Sequence, residues 1–257
     1  MTNAGAIADG GVVRAFARDL EAAPDFGAAM DVLHEAAGNL GFPLVDYAYF
    51  PVARMPDGEW LPADLQTRNF PRRWDTKWRE HCVHDPYYHR CYERGIPIDW
   101  TEIRDNEVIV GRERDCLNYI SDQVAGFGFT VPIHQPGGAF TYISMICESG
   151  DGWRAKVDRT RDTIFLIAHY FQSSAAVRND CRRRAMPIGL SERERECLLW
   201  SARGKTAVDI GTILDLSPET VRVYLKRVNR KLNALNRSHA IAKATYLGLI
   251  DLPRLTS

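Results

Sequence analysis

The sequence predicts an α+β body, an α/β/α sandwich with an antiparallel sheet, followed by a separate all-α unit of four helices. Three observations predict it. The charge changes sign at one place: residues 1–177 carry 17 Lys/Arg against 25 Asp/Glu, residues 178–186 carry 4 against 1, and residues 187–257 carry 12 against 7, although the whole chain holds 33 of each. In the acidic part, strand-like runs are bracketed by helical patterns. In the basic part, every periodic segment is helical, with short polar breaks between. A chain of 257 residues suits two domains, here 1–177 and 189–257 with a linker at 178–188.

The elements follow in order. Apolar periodicity gives helices at about 11–22 and 26–39, then the strand-like VDYAYF (45–50) and a second strand near 64–70. Pro71 opens a helix to about His81 and Pro86 another to Arg94, because proline at a first helical position lacks only an N–H that would go unbonded. A longer helix spans about 111–125. FTVPIH (129–134) and FTYISMIC (140–147) read as strands, and 157–178 as a closing amphipathic helix carrying Val157, Ile164, Ile167, Ala168 and Phe171. Helices bracketing antiparallel strands make the sandwich. A phosphorylation receiver would open on a buried strand ending in paired acids and then alternate strand with helix; this chain opens on helices.

In the basic unit, Ser191 precedes ERERECLLWSAR with Glu194 three residues on, the spacing of a capping box. Cys197, Leu198 and Trp200 face one way, and Gly204 ends the helix. Thr206 caps AVDIGTILD, with Val208 or Ile210, Ile213 and Leu214 turned inward. After Asp215-Leu216-Ser217, Ser217 caps a third helix with Pro218 at its first position. Val221, Leu225, Val228 and Leu232 form its apolar stripe. Arg222, Lys226, Arg227, Arg230 and Lys231 lie off the stripe, with Arg237 just beyond. A last helix from Ser238 buries Ala240, Ile241, Ala244 and Leu247, and Gly248 stops it. Helix, short turn and a second helix with a basic outer face form a helix-turn-helix, whose second helix enters the DNA major groove. A solvated basic face is the plainer account of the charge; the short turn and Ser-Pro cap favour DNA.

The bulk properties narrow the class. Apolar residues make up 45%, enough for a real core. No run approaches the roughly 18 apolar residues of a membrane helix, and the N-terminus lacks the pattern of a secretory signal. Six cysteines at 82, 91, 116, 147, 181 and 197 form no C-x-x-C pair and read as reduced thiols of a cytoplasmic protein. The absence of G-x-S-x-G, H-E-x-x-H and a phosphate loop argues against an enzyme.

RNFPRRWDTKWREHCVHDPYYHRCYERGIPIDW (68–100) holds Trp74, Trp78 and Trp100 beside Phe70, with Asp85 an unneutralised acid among them. Aromatic walls with one placed polar group suit a mainly apolar ligand carrying an amide and a carbonyl. Equally, Trp74 and Trp78 at i, i+4 fit a core, and Asp85 before Pro86 fits an N-cap. HCVHDPYYHRC (81–91) invites a metal reading through His81, Cys82, His84, His89 and Cys91, but lacks a second ligand knuckle. Surface histidines and half-buried thiols are the better reading.

L-S-E-R-E (190–194), W-S-A-R-G-K-T (200–206), D-I-G-T-I-L-D-L-S (209–217), T-V-R-V-Y-L (220–225) and R-K-L-N (230–233) closely resemble the LuxR-type DNA-binding domain. Glu194, Leu198 and Gly204 stand at signature positions. Gly211 stands where the family usually has Ala, which should loosen its helix slightly. F-P-x-x-W (70–74), D-P (85–86), Trp100, G-F-T-V-P-I-H (128–134) and the Ser144 region resemble, in order, the LuxR-type autoinducer-binding domain.

That resemblance implies a role for each residue. Trp74 would donate its indole N–H to a lactone carbonyl, Asp85 accept the ligand amide N–H and Ser144 bind the acyl carbonyl. Trp100 would wall the lactone head, and Gly128 leave room beside it. Phe70 stands where many members have Tyr, Trp78 replaces a Tyr, and the segment between Trp74 and Asp85 is shorter than usual. Tyr47, Tyr49 and Tyr142 are further candidates for the wall.

The expectation is a cytoplasmic transcription factor without cofactor, binding an acyl-homoserine lactone and, as a homodimer, a near-palindromic operator, with RNA polymerase a further candidate partner and no membrane. Arg222 and Lys226, with Thr220 at the same helix end, should meet the operator near base edges; Lys205, Arg227, Arg230, Lys231 and Arg237 should meet its backbone. A constitutive or orphan DNA-binding regulator, its body filled by its own aromatics or sensing another molecule, is the alternative. A metal- or redox-responsive regulator is a third.

Overall fold

A computed structural model describes residues 10–51, 53–54, 60–72, 74–124, 126–135, 139–178 and 189–250. Cys181 and the expected linker beyond Arg178 lie outside the described residues. The chain divides into two compact units, one holding a five-stranded sheet and the other the last four helices.

In the first unit, α1 (Gly10–Ala22) and α2 (Phe26–Asn39) lead into β1 (Leu44–Phe50) and β2 (Asp64–Arg68). Then come α3 (Trp74–His81), a 3-10 turn at Cys82–His84, α4 (Pro86–Arg94), β3 (Ile98–Asp99), α5 (Trp100–Asn106) and α6 (Gly111–Val124). β4 (Phe127–His134), β5 (Phe140–Cys147) and α7 (Trp153–Arg178) complete it. The sheet order is β2-β1-β5-β4-β3, antiparallel throughout. α1, α2 and α7 pack together on one face, and α3 to α6 on the other.

β1 is buried along its whole length because both faces are covered. Its side chains alternate: Leu44, Ala48 and Phe50 join the core under α3 to α6, while Tyr47 packs against Phe26 and Phe171 on the opposite side.

The sequence gives no hint of β3 and α5. A two-residue strand has no alternation to read, and α5 is short, its start fixed by Asp99, whose carboxylate accepts from Thr101 N. α3 begins at Trp74 rather than at Pro71. α7 begins a turn before the expected 157, following Gly152 in the left-handed region at φ 64°, and Trp153 Nε1 anchors its first turn to Asp99.

The second unit comprises α8 (Glu192–Ala202), α9 (Ala207–Leu214), α10 (Pro218–Lys231) and α11 (Arg237–Tyr246). The N-caps expected at Ser191, Thr206 and Ser217 are present. α11 starts one residue early, capped by Asn236. Of the alternatives Val208 or Ile210 expected to face inward on α9, Ile210 is the buried one; Leu214 is half-buried, while Val208 and Ile213 are exposed. Gly211 takes part of their place: a Cβ there would lie 2.5 Å from the Leu216 carbonyl oxygen. The glycine thus lets the turn close onto the helix, which corrects the expectation of a merely loosened one.

Candidate functional site

The first unit encloses a cavity between the sheet and α3, α4 and α6. Asp46, Thr130, Tyr142 and Ser144 line it from the sheet, Trp74, Trp78, Asp85, Tyr87, Tyr88 and Ile120 from the helical side, with Trp100 and Leu65 at the margins. The walls leave about 10 Å³ of free space, room for one water-sized molecule. Leu65 and Trp78 also line an outer groove of about 310 Å³ that runs over Asp64, Gln66, Thr67, Arg79 and Cys82.

The sequence builds this wall from stacked rings. Trp74 and Trp78, one helical turn apart on α3, stack at 5.1 Å, and Tyr119 closes on Trp74 at 5.3 Å. Tyr87 stacks on Trp100 at 4.3 Å. Gly128 makes the Trp100 position possible, because a Cβ there would lie 2.4 Å from the indole. Trp100 Nε1 donates to Thr130 Oγ1 at 2.7 Å, and Thr130 donates to Ser144 Oγ at 2.9 Å.

The polar groups of the cavity are poorly matched. The indole N–H groups of Trp74 and Trp78 and the Tyr87 hydroxyl are buried without a hydrogen-bond partner. Such groups cost about 1–3 kcal/mol each while unpaired. Asp85, 3% exposed, accepts the Tyr87 amide at 2.8 Å as the N-cap of α4, so the capping role is real. Burial nevertheless pushes its carboxyl up to about 7, against the pull of the Tyr87 and Tyr88 amides. Asp46 is 6% exposed; burial raises it to about 8 against hydrogen bonds from Ser144, with the Asp85 charge adding to the rise. Among the described residues no Lys, Arg or His lines the cavity.

Of the residues singled out from sequence, Trp74, Trp78, Asp85, Trp100, Tyr142 and Ser144 therefore meet at one cavity. Gly128 shapes it from behind Trp100. Phe70 is half-buried and packs on Trp74 at 5.0 Å, one layer back from the lining. Tyr49 is corrected: alternation along β1 turns it to the face opposite Asp46, Ala48 and Phe50, and Tyr47 goes with it. Asp46 and Thr130 were missed, although an acid in phase with Ala48 and Phe50 was visible in VDYAYF.

His89 is no surface residue: it is buried, held by Val83 O at 3.0 Å and Glu113 at 3.2 Å. Cys82 and Cys91 are buried outright. Among the described residues no three His, Cys, Asp or Glu side chains converge as metal ligands.

In the second unit α9, the turn at 215–217 and α10 form the helix-turn-helix. Val221, Val228 and Leu232 are buried, with Leu225 half-buried. Arg222, Lys226, Arg227, Arg230 and Lys205 are exposed, and Thr220 is half-buried with its hydroxyl 2.8 Å from Ser217 Oγ. Arg222 pairs with Glu219 on the surface at 2.6 Å. Two of the expected DNA contacts are engaged internally. Lys231 Nζ lies 2.6 Å from the buried Glu194 carboxylate and 3.0 Å from Gly189 O. Arg237 holds the carbonyls of Ser201 and Lys205 at 2.8 and 2.6 Å.

Comparison with known proteins gives matches in both units. Residues 26–175 match the model of the autoinducer binding domain, and residues 189–244 that of bacterial regulatory proteins of the luxR family. The transcriptional activator protein VanR of Vibrio anguillarum is 30% identical over 195 residues, covering 73% of this chain and 78% of VanR. The HTH-type regulator y4qH of Sinorhizobium fredii is 34% identical over 188 residues, 68% of this chain but only 55% of y4qH. A solved structure of SdiA in complex with octanoyl-rac-glycerol superposes with a TM-score of 0.63 at 19% identity, covering 92% of this chain and 94% of SdiA. At that identity the likeness speaks to the fold.

Proposed function

Because the chain belongs to the luxR family of bacterial regulatory proteins, joining an autoinducer-binding domain to a helix-turn-helix domain, we propose that it is an acyl-homoserine-lactone receptor that binds operator DNA as a homodimer. We assign signal binding and dimerisation to residues 1–177 and DNA to 189–257. The observation that carries the reading is the mismatch in the cavity: Trp74 and Trp78, whose indole N–H groups are buried and unpartnered, line a space bounded by a buried carboxyl with acceptor capacity to spare. An N-acyl lactone supplies the complement, a carbonyl for Trp74 and an amide N–H for Asp85. Entry requires the wall to move. An outward swing of Trp78 and Leu65, which line both spaces, would join the cavity to the outer groove.

A bound signal would then form part of the core, so binding and folding are linked. Phe165, Leu166 and Tyr170 on α7 expose apolar surface suited to a second copy. In the C-terminal unit the exposed cations Lys226, Arg227 and Arg230, with Arg222 and Lys205, are the proposed DNA contacts; Lys231 and Arg237 instead hold the domain together.

The small free volume favours a second reading, an orphan regulator whose aromatics fill the pocket. Thermal melting of the full chain against acyl-homoserine lactones of varied acyl group separates the two. A binder at a hundredfold its dissociation constant adds about 2.7 kcal/mol, and the shift should vanish in Asp85→Ala. No shift from any lactone would sink the receptor reading.

A further inference from the structure

Asp46 is a second buried acid in the cavity, and no capping role explains it. It stands in the middle of β1, directly opposite Ser144 on β5, which in turn stands opposite Thr130 on β4. Opposed residues of antiparallel strands point to one face, so these three form a polar row across an otherwise apolar wall.

The hydrogen bonds along the row run one way. Trp100 donates to Thr130, and Thr130 donates to Ser144. A hydroxyl has one hydrogen, so with Thr130's committed to Ser144, the hydrogen of Ser144 goes onward to Asp46. The Ser144 amide also donates to Asp46 Oδ1, at 3.2 Å. The chain of donors thus ends on a carboxylate. Among the described residues, Ser144 is the one residue that hydrogen-bonds it, whereas a carboxylate has about four acceptor positions. Among the described residues no basic side chain lines the cavity to balance it, so burial holds the proton on it to about 8, and a hydrogen-bond donor from a ligand is what would favour its ionised, accepting form.

We propose that Asp46 is a specificity-determining residue of the signal pocket: the signal carries, on its acyl portion, a second hydrogen-bond donor, a hydroxyl or an amino group, that this carboxylate accepts. The inference rests on the signal-receptor reading above, in which Asp85 takes the amide N–H. It also reassigns Ser144. With its hydroxyl hydrogen directed at Asp46, the acyl carbonyl falls to Trp78 Nε1 or the Tyr87 hydroxyl, both buried and unpartnered. A plain alkyl chain would leave the carboxylate buried against hydrocarbon, which is the arrangement a polar site rejects most strongly.

The test is a set of binding titrations on the full chain with N-hexanoyl-homoserine lactone and its 3-hydroxy, 6-hydroxy and 6-amino derivatives. At least one derivative should bind tenfold or more tightly than the parent, and Asp46→Val should abolish that preference. This variant removes an uncompensated buried acid and places a good strand former in β1, so it should melt no lower than the wild type. Asp46→Asn separates the two donors. It keeps an acceptor oxygen and so retains part of a hydroxyl preference, but it loses an amino preference. Equal affinity for parent and derivatives, or a preference that survives Asp46→Val, would overturn the inference and leave the lactone reading standing. No binding by any of the four, together with no melting shift from lactones of other acyl groups, would overturn both.

Discussion

Glu194 and Asp46 are both buried carboxylates, one in each unit, and their surroundings differ in kind. Glu194 closes its own capping box with the Ser191 amide at 2.7 Å and meets Lys231 at 2.6 Å. Burial alone would raise its carboxyl, but Lys231 and Ser191 outweigh that and hold it below the usual range. Asp46 and its neighbour Asp85 receive hydrogen bonds but, among the described residues, no cation, and both are raised. The C-terminal acid is thus matched within the chain and works as a structural pin. The N-terminal acids are not, and that deficit is what a ligand can fill.

The comparison breaks most visibly with pH. As pH rises from about 4, unfolded carboxyls lose their protons first. Folded Asp85 and Asp46 keep theirs to about 7 and 8, so the folded state binds more protons and the N-terminal unit loses stability across this window. The slope reaches up to about 1.4 kcal/mol per pH unit for each titrating acid. Melting curves from pH 5 to 8 should show it, and Asp46→Val should flatten it. Glu194 acts with the opposite sign: its contribution is present above the ordinary carboxylate range and disappears as pH falls through its lowered value.

Next in size is Lys231→Met, which strands the Glu194 carboxylate. Breaking a buried pair costs about 3–5 kcal/mol; since Lys231 is half exposed, about 3 kcal/mol is expected in denaturant unfolding of the C-terminal unit. Gly128→Ala should cost about 2 kcal/mol in the N-terminal unit, as overpacking does, by driving the Trp100 indole off Thr130. The smallest effect sharpens the assignment of cations. Arg227→Ala should lower the slope of log affinity against log salt for duplex DNA by about one, whereas Lys231→Met, assayed where it is folded, should leave that slope unchanged.

What the sequence made legible follows from the range of the forces involved. Caps act over three residues, and Ser191, Thr206 and Ser217 were readable because cap and partner are neighbours in the chain. Trp74, Asp85 and Trp100 were readable through their likeness to a known domain. Asp46 was not, because its meaning lies in β5 and β4, about a hundred residues away, and in the register that sets it against Ser144. The internal contacts of Lys231 and Arg237 were hidden for the same reason: each looks like a free cation until the helix it pins comes into view.

The central claim is that the pocket's unmatched polar groups are met by a signal, and the indole N–H groups report it directly. In a ¹H–¹⁵N spectrum of the full chain with labelled tryptophan, the lactone giving the largest melting shift should move the Trp74 indole resonance downfield and protect it from exchange. Trp153, already bonded to Asp99, should stay in place. A lactone that binds tightly and leaves the Trp74 resonance where it was would contradict the account.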